Sequence, residues 1–175
     1  MQKVKLPHQV DPVKSAVKRS DYQGVIASKD MERLLGAVVN CDEWVDAEVQ
    51  FIKDAQGLTV FHGHLATQVT LICQRCNGEF DCPLNVDFCY SPVQRSDEID
   101  MLPEAYDPVE VDDHGNVDLL QLFEDELIIA LPIVALHAEK DCALSKDDMT
   151  FGKIEPENER PNPFAVLKEL KRDQE

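Results

Sequence analysis

The sequence predicts an α+β fold: an antiparallel β meander packed by one long helix (118–131), with small helices near both termini. Three observations predict it. Polarity alternates with period two through "VDAEVQF" and again over 80–90, as in half-buried strands. The turn signals "DAQG" (54–57) and "NG" (77–78) bracket a long strand-like run, "LTVFHGHLATQVTLIC". "DLLQLFEDELIIALP" then switches to a helical period, opened by Asp118 and closed by Pro132.

The first helix begins at "VDPVKSAVKRS", where Asp11 suits the N-cap and Pro12 the first helical position. Val13, Ala16 and Val17 form its apolar stripe, and Lys14, Lys18 and Arg19 face out. "SKDMERLLGAVV" predicts a second helix capped by Ser28, with Met31, Leu34, Leu35 and Val38 inside. Val45, Ala47, Val49 and Phe51 form the buried side of the first meander strand. Gly63 within the second strand suggests a bulge or a bend. The third strand places Phe80, Cys82, Leu84, Val86, Phe88 and Tyr90 on one face. Residues 96–108 are acidic and proline-broken, a loop, and "PVEV" adds a short strand. In the long helix Leu119, Leu120, Phe123, Leu127 and Leu131 share the side that packs on the sheet. "IVAL" continues as a strand or an extended segment. The domain is expected to span 1–137, followed by a flexible polar segment (138–160) and a C-terminal helix or tail (161–175) opened by "NP".

Charge bounds the function. The 175 residues carry 17 basic and 34 acidic side chains, a net of −17. Residues 1–33 hold seven bases against four acids; from Ser96 to Glu126 there are twelve acids and no Lys or Arg. Affinity for nucleic acid comes largely from cations that displace counterions, so the chain as a whole is repelled by it. It attracts basic proteins, with salt-sensitive steering. The partner-binding candidates are therefore Asp97, Glu98, Asp100, Glu104, Asp107, Glu110, Asp112 and Asp113, and the residues suited to RNA contact are Lys14, Lys18 and Arg19. The plain alternative is acidity that serves solubility. No apolar run approaches the roughly 18 residues of a membrane span, and the N-terminus lacks a signal core. A cytoplasmic, membrane-free protein is expected.

"CQRC" (73–76) is the sharpest local motif. Two thiolates on a tight turn supply half of a tetrahedral zinc site. His137 and Cys142 would complete it, giving Cys73, Cys76, His137 and Cys142 as ligands. Two alternatives stand beside zinc: a redox pair, which needs a helix N-terminus to depress a thiol pKa, and a hairpin tip with unligated thiols. Cys41 and Cys82 suit structural positions, and Cys89 points away from Phe88 and Tyr90. His62 and His64 suit a half-exposed strand face. The chain has no P-loop, dinucleotide glycine fingerprint or nucleophile elbow, and no pair of acids stands out as an acid–base couple, so no enzymatic activity and no small-molecule substrate are expected.

Several stretches together, in order along nearly the whole chain, resemble one family. They are "MQKVKLP", "DP…KR" with "DYQG", "CQRC", "LPEAYDPVEV", "DLLQLFEDELIIALP" and "NPFAVL". The family is YceD, named for accumulation of large-subunit ribosomal RNA. The resemblance implies a bacterial cytoplasmic factor, without enzymatic activity, for synthesis, processing or stability of large-subunit (23S) ribosomal RNA. It also implies a metal site completed by the segment after the long helix, where this chain offers Cys142 and His137. Charge and resemblance together predict an acidic body that holds a basic ribosomal protein or assembly factor of the large subunit, with rRNA reached indirectly. The rival reading is a general acidic adaptor or chaperone for basic proteins, without ribosomal specificity.

Overall fold

The computed structural model describes residues 5–144, 148 and 151–152. The chain divides into two compact units, Met1–Ala143 and Leu144–Glu175. In the first unit the elements run in chain order: β1 (Gln9–Val10), α1 (Pro12–Lys18), β2 (Asp21–Ala27), α2 (Glu32–Ala37), β3 (Asn40–Cys41), β4 (Trp44–Lys53), β5 (Thr59–Ile72), β6 (Glu79–Val93), β7 (Asp107–Glu110), β8 (Val117–Asp118) and α3 (Leu119–Ile129). This is the predicted α+β class. The predicted meander is β4–β5–β6, antiparallel throughout, inside a larger sheet ordered β2-β4-β5-β6-β7.

Three strands extend that meander. Asp21–Ala27, which sequence polarity did not mark, pairs antiparallel with β4 as an edge strand. Its residues "DYQGVIA" show no clean alternation because Val25, Ile26 and Ala27 are buried in succession, on both sides of the strand. β7, the predicted "PVEV" strand, adds to β6 in parallel. β3 pairs with β5 beyond the end of β4.

Gly63 is not a bulge: the register of β5 is unbroken, Val49↔Gly63 on one side and Gly63↔Phe88 on the other. A Cβ there would lie 1.9 Å from the Glu48 carbonyl oxygen and 2.6 Å from Phe88 Cζ. The glycine exists so that the Phe88 ring can lie over the strand, an aromatic covering a bare backbone position. Phe88 in turn meets Phe123 of α3 at a ring-centroid distance of 5.2 Å. Phe51 and Phe61 stack at 5.1 Å beside them, both fully buried. Burying these rings and the leucines of α3 supplies the main driving force for folding.

The helices follow their caps. Asp11 accepts the backbone N–H of Lys14 at 2.8 Å, and Asp118 accepts that of Gln121 at 3.0 Å, as predicted. α1 turns a different side inward: Pro12, Ser15 and Ala16 are buried, whereas Val13 and Val17 are exposed. Ser28 does not cap α2. It starts a separate 3-10 turn (Ser28–Asp30), and α2 begins only at Glu32, behind Met31. Met31 and Leu34 are buried as predicted, but Leu35 is exposed. α3 ends at Ile129, a turn before Pro132, because the proline ring displaces the preceding residues from helical geometry. The "IVAL" segment forms no strand: Ile133 and Val134 lie in a bend. Residues 138–143 of the expected polar segment lie in the first unit, with a 3-10 turn at Glu139–Asp141. Most of the rest of that segment, and the C-terminal helix expected at 161–175, fall outside the described residues.

Candidate metal centre

The tip of the β5–β6 hairpin is built by the cysteines rather than by "NG". A two-residue turn would put both Asn77 and Gly78 at positive φ. Here only Asn77 is left-handed, at φ 57°, and the loop is a wider knuckle. Cys73 N–H donates to Gly78 O, and Asn77 N–H donates back to Cys73 O, both at 2.8 Å. Gly78 leaves room for the Cys76 sulfur, which would touch a Cβ there at 3.4 Å.

The segment after α3 docks on this knuckle. Gln74 N–H donates to Ala135 O at 2.8 Å, and the Phe80 and His137 rings lie 5.4 Å apart. The result brings together all four residues the sequence singled out. The sulfurs of Cys73, Cys76 and Cys142 and a ring nitrogen of His137 all lie within 4.8 Å of one another. Cys73 is fully buried, and the other three are half-buried.

The geometry fits a metal. With zinc bond lengths of about 2.3 Å to sulfur and 2.0–2.1 Å to nitrogen, a tetrahedron separates the two ligand atoms by about 3.6 Å. Cys76 Sγ and His137 Nε2 are 3.6 Å apart. Cys73 is poised as a thiolate. Burial alone would raise its thiol, but backbone N–H groups of Cys76, Arg75 and His137 outweigh burial and bring it from 9.0 to about 6. Backbone amides aimed at a sulfur stabilise negative charge there, which is the form that binds metal. The other imidazole nitrogen, His137 Nδ1, is buried with no hydrogen-bond partner, as is Arg75 Nη1. The knuckle lies between strands, so the depression of the Cys73 thiol comes from neighbouring backbone amides and not from a helix N-terminus. The cluster could hold a metal ion and, through it, fasten the hairpin tip to the segment after α3.

The acidic candidates do not converge on one point. Asp97 and Glu98 sit on a 3-10 turn (Ser96–Met101) within 3.3 and 3.5 Å of Arg95 Nε. Asp100 and Glu104 are exposed in the same region, and Asp107 and Glu110 are exposed on β7. Asp112 organises its own turn, accepting from the backbone N–H groups of Asn116 at 2.7 Å and His114 at 2.9 Å. These bonds hold its carboxyl below the usual range. Asp113 is exposed beside it. Of the basic candidates, Lys14 is paired with Asp11 at 2.8 Å, while Lys18 and Arg19 are exposed. Arg19 terminates α1 in the left-handed conformation and lines a shallow groove with Val17, Ile52 and Lys53. Lys53 was missed because it stands 34 positions from Arg19 on a strand of the opposite polarity pattern. His64 Nδ1 lies 2.7 Å from Asp87 Oδ1, and both His62 and His64 are half-buried on their strand, as expected.

The "EDE" of the long helix is structural. Glu124 and Asp125 bind Arg33, and Glu126 accepts from the Tyr90 hydroxyl.

The family model described as "Large ribosomal RNA subunit accumulation protein YceD" matches residues 61–171, most of the chain, with the CQRC knuckle and α3 inside it. The chain belongs to the YceD family. It is 45% identical, over 172 residues, to the large ribosomal RNA subunit accumulation protein YceD of Haemophilus influenzae. That match covers 98% of this chain and 99% of the relative. No solved structure matches. No helix among the described residues is long and apolar enough to cross a membrane.

Proposed function

We propose that this YceD-family protein supports the synthesis, processing or stability of large-subunit ribosomal RNA, acting in the cytoplasm without catalysing a reaction. The observation that carries the reading is the end-to-end similarity to a protein named for large ribosomal RNA subunit accumulation. Two structural facts support it. The acids embedded in α3 are engaged with Arg33 and Tyr90, so they serve packing and do not form an open acid–base couple. A net charge of −17 suits contact with a basic ribosomal or assembly protein better than a broad grip on RNA. The acids Asp97, Glu98, Asp100, Glu104, Asp107, Glu110, Asp112 and Asp113 follow one another along the sequence and add to that charge without converging on one point. Lys14, Lys18 and Arg19 offer a smaller basic end for RNA.

We assign zinc to the Cys73, Cys76, His137 and Cys142 cluster. Three thiolates and one imidazole are the donor set of a structural zinc site, closed to substrate. The metal supplies a crosslink, and the residues supply its charge neutralisation and its seat on the hairpin.

Depletion of the protein in its own cells tests the functional reading, with the ratio of large- to small-subunit rRNA as the readout. A fall in that ratio, restored by the wild-type chain, is the expected result. An unchanged ratio with normal large-subunit precursors contradicts it.

A further inference from the structure

The sheet carries its main core on one side. Phe51, Phe61 and Phe88 point to the side that holds the core, where Phe88 meets Phe123 of α3 and α1 packs on β4 and β5. The opposite side faces solvent over its middle, whereas Val25, Ala27 and Val60, which the register places on it, are buried and Lys5 Nζ lies 5.9 Å from the Trp44 ring centroid. Strand alternation places six carboxylates there: Asp21, Asp46, Glu48, Glu79, Asp81 and Asp87, all exposed. The register aligns Gln23, Glu48, His64 and Asp87 in one row across β2, β4, β5 and β6. The outward positions of these strands contribute no Lys or Arg. Glu48 accepts from Gln23, Asp81 from Thr70 and Asp87 contacts His64, so the described ties of these carboxylates within the face are to uncharged groups or an imidazole.

The β5–β6 ladder runs from Phe61–Tyr90 to Ile72–Glu79. At about 3.4 Å per residue it is about 40 Å long, and four strands about 4.8 Å apart span about 14 Å. The β2–β4 and β4–β5 ladders are shorter, seven and eight pairs against twelve, so the flat area is on the order of 400 Å², about half of the roughly 800 Å² that one partner contributes to a standard interface.

We propose that this sheet face is the principal docking surface for the basic protein partner, with Lys and Arg side chains of the partner pairing with its carboxylate rows. The inference rests on the reading of an acidic body that holds a basic protein, and it moves the contact from the 96–113 region to the sheet. Charge complementarity selects the occupant. A second copy of the same face would oppose six carboxylates to six, and a nucleic acid would bring phosphates against them; both are repulsive. A Lys- and Arg-rich segment of a folded or extended protein is attracted, and the rigid spacing of the strands fixes where its cations sit. The sequence conceals this surface because its acids come from three separate strands, β2, β4 and β6, each contributing one to three, whereas the 96–126 stretch is conspicuous by being contiguous.

The test uses immobilised full-length protein and the RNA-free basic proteins released from purified large ribosomal subunits. Three chains are compared: wild type, a face variant (Asp46→Asn, Glu48→Gln, Asp81→Asn, Asp87→Asn) and a loop variant of equal charge change (Asp97→Asn, Glu98→Gln, Asp100→Asn, Glu104→Gln). Thermal unfolding verifies each fold, and the double variant Asp46→Asn/Asp87→Asn replaces the face variant if that one does not fold. The expected result is retention by wild type, about tenfold weaker retention by the face variant and nearly unchanged retention by the loop variant. Equal losses in both variants, or a greater loss in the loop variant, overturn the face while leaving an acidic grip intact. Retention of nothing by wild type overturns the face and the basic-partner reading together.

Discussion

The carboxylate of Glu124, inside α3, is the N-terminal cap of α2. Its Oε1 accepts the backbone N–H groups of Arg33 at 2.7 Å and Leu34 at 3.1 Å, and its Oε2 accepts Arg33 Nε at 2.9 Å. Met31, at the N-cap position, makes no side-chain cap bond, and two orphan donors of a six-residue helix are satisfied from 91 and 90 positions away. The pair thereby joins the two helices: α2 is too short to be stable alone and is held by α3.

Replacing Glu124 with alanine is expected to cost about 3 kcal/mol, because buried donors and a guanidinium lose their acceptor together. Arg33→Ala is expected to cost only about 1 kcal/mol, since its side chain is half exposed and the backbone cap survives. Chemical denaturation of the two variants checks the order. Equal losses would mean that the ion pair, and not the cap, dominates.

Gly63→Ala is expected to destabilise the fold by about 2 to 3 kcal/mol, since the methyl group collides with the Glu48 carbonyl and the Phe88 ring. Gly36→Ala makes the control. A methyl group at Gly36 meets nothing within 4 Å and lies inside α2, so a small gain of up to about 1 kcal/mol is expected. Thermal unfolding of both variants measures the contrast.

If zinc occupies the knuckle, chelation removes stabilisation that depends on free metal. At a thousandfold excess over Kd this is about 4 kcal/mol, or roughly 10 °C in Tm for a chain of this size. Cys73→Ser and Cys142→Ser are expected to unfold at the chelated wild-type temperature and to ignore the chelator. Stoichiometric metal analysis of the purified protein accompanies the melts. A wild type that holds no metal and is indifferent to chelator contradicts the assignment.

The caps of α1 and α3 each predict a loss of about 1 kcal/mol on substitution, Asp11→Ala and Asp118→Ala. For Asp11 the effect is pH-dependent. The hydrogen bond from the Lys14 ammonium, then the Lys14 backbone N–H, hold its carboxyl below the ordinary 3.8. A folded pKa below the unfolded one means stability that is present above 3.8 and lost as pH falls through the folded value. The gap between wild type and Asp11→Ala is therefore constant near neutrality and closes in acid. Denaturant titrations across that range test it.

Much of this was legible in the residues, for identifiable reasons. The meander was readable because β4 and β6 bury one side and expose the other, which forces alternation onto the sequence. The cysteine cluster was readable only in part: Cys73 and Cys76 offer half of a tetrahedral site, and His137 and Cys142 were reached by asking for the four ligands zinc needs, 61 positions from Cys76 to His137. β2 stayed hidden, as an edge strand lacking that alternation. Ser28 misled because a serine before an acidic residue looks like a cap, whereas the cap came from Glu124. Glu124 drew no reading of its own, since nothing local reveals that Arg33 and two backbone amides converge on it. Long-range polar pairing leaves no periodic trace.

The central claim is that an acidic body serves the large ribosomal subunit by holding one of its basic proteins. The most direct measurement is an affinity pull-down of tagged protein from its own cytosol, with and without RNase, at low and high salt. The account predicts large-subunit proteins that persist after RNase and fall away in high salt. Capture abolished by RNase would contradict it and move the contact to RNA and the basic side chains of α1. Basic proteins captured without any large-subunit member would contradict the ribosomal role and favour a general adaptor.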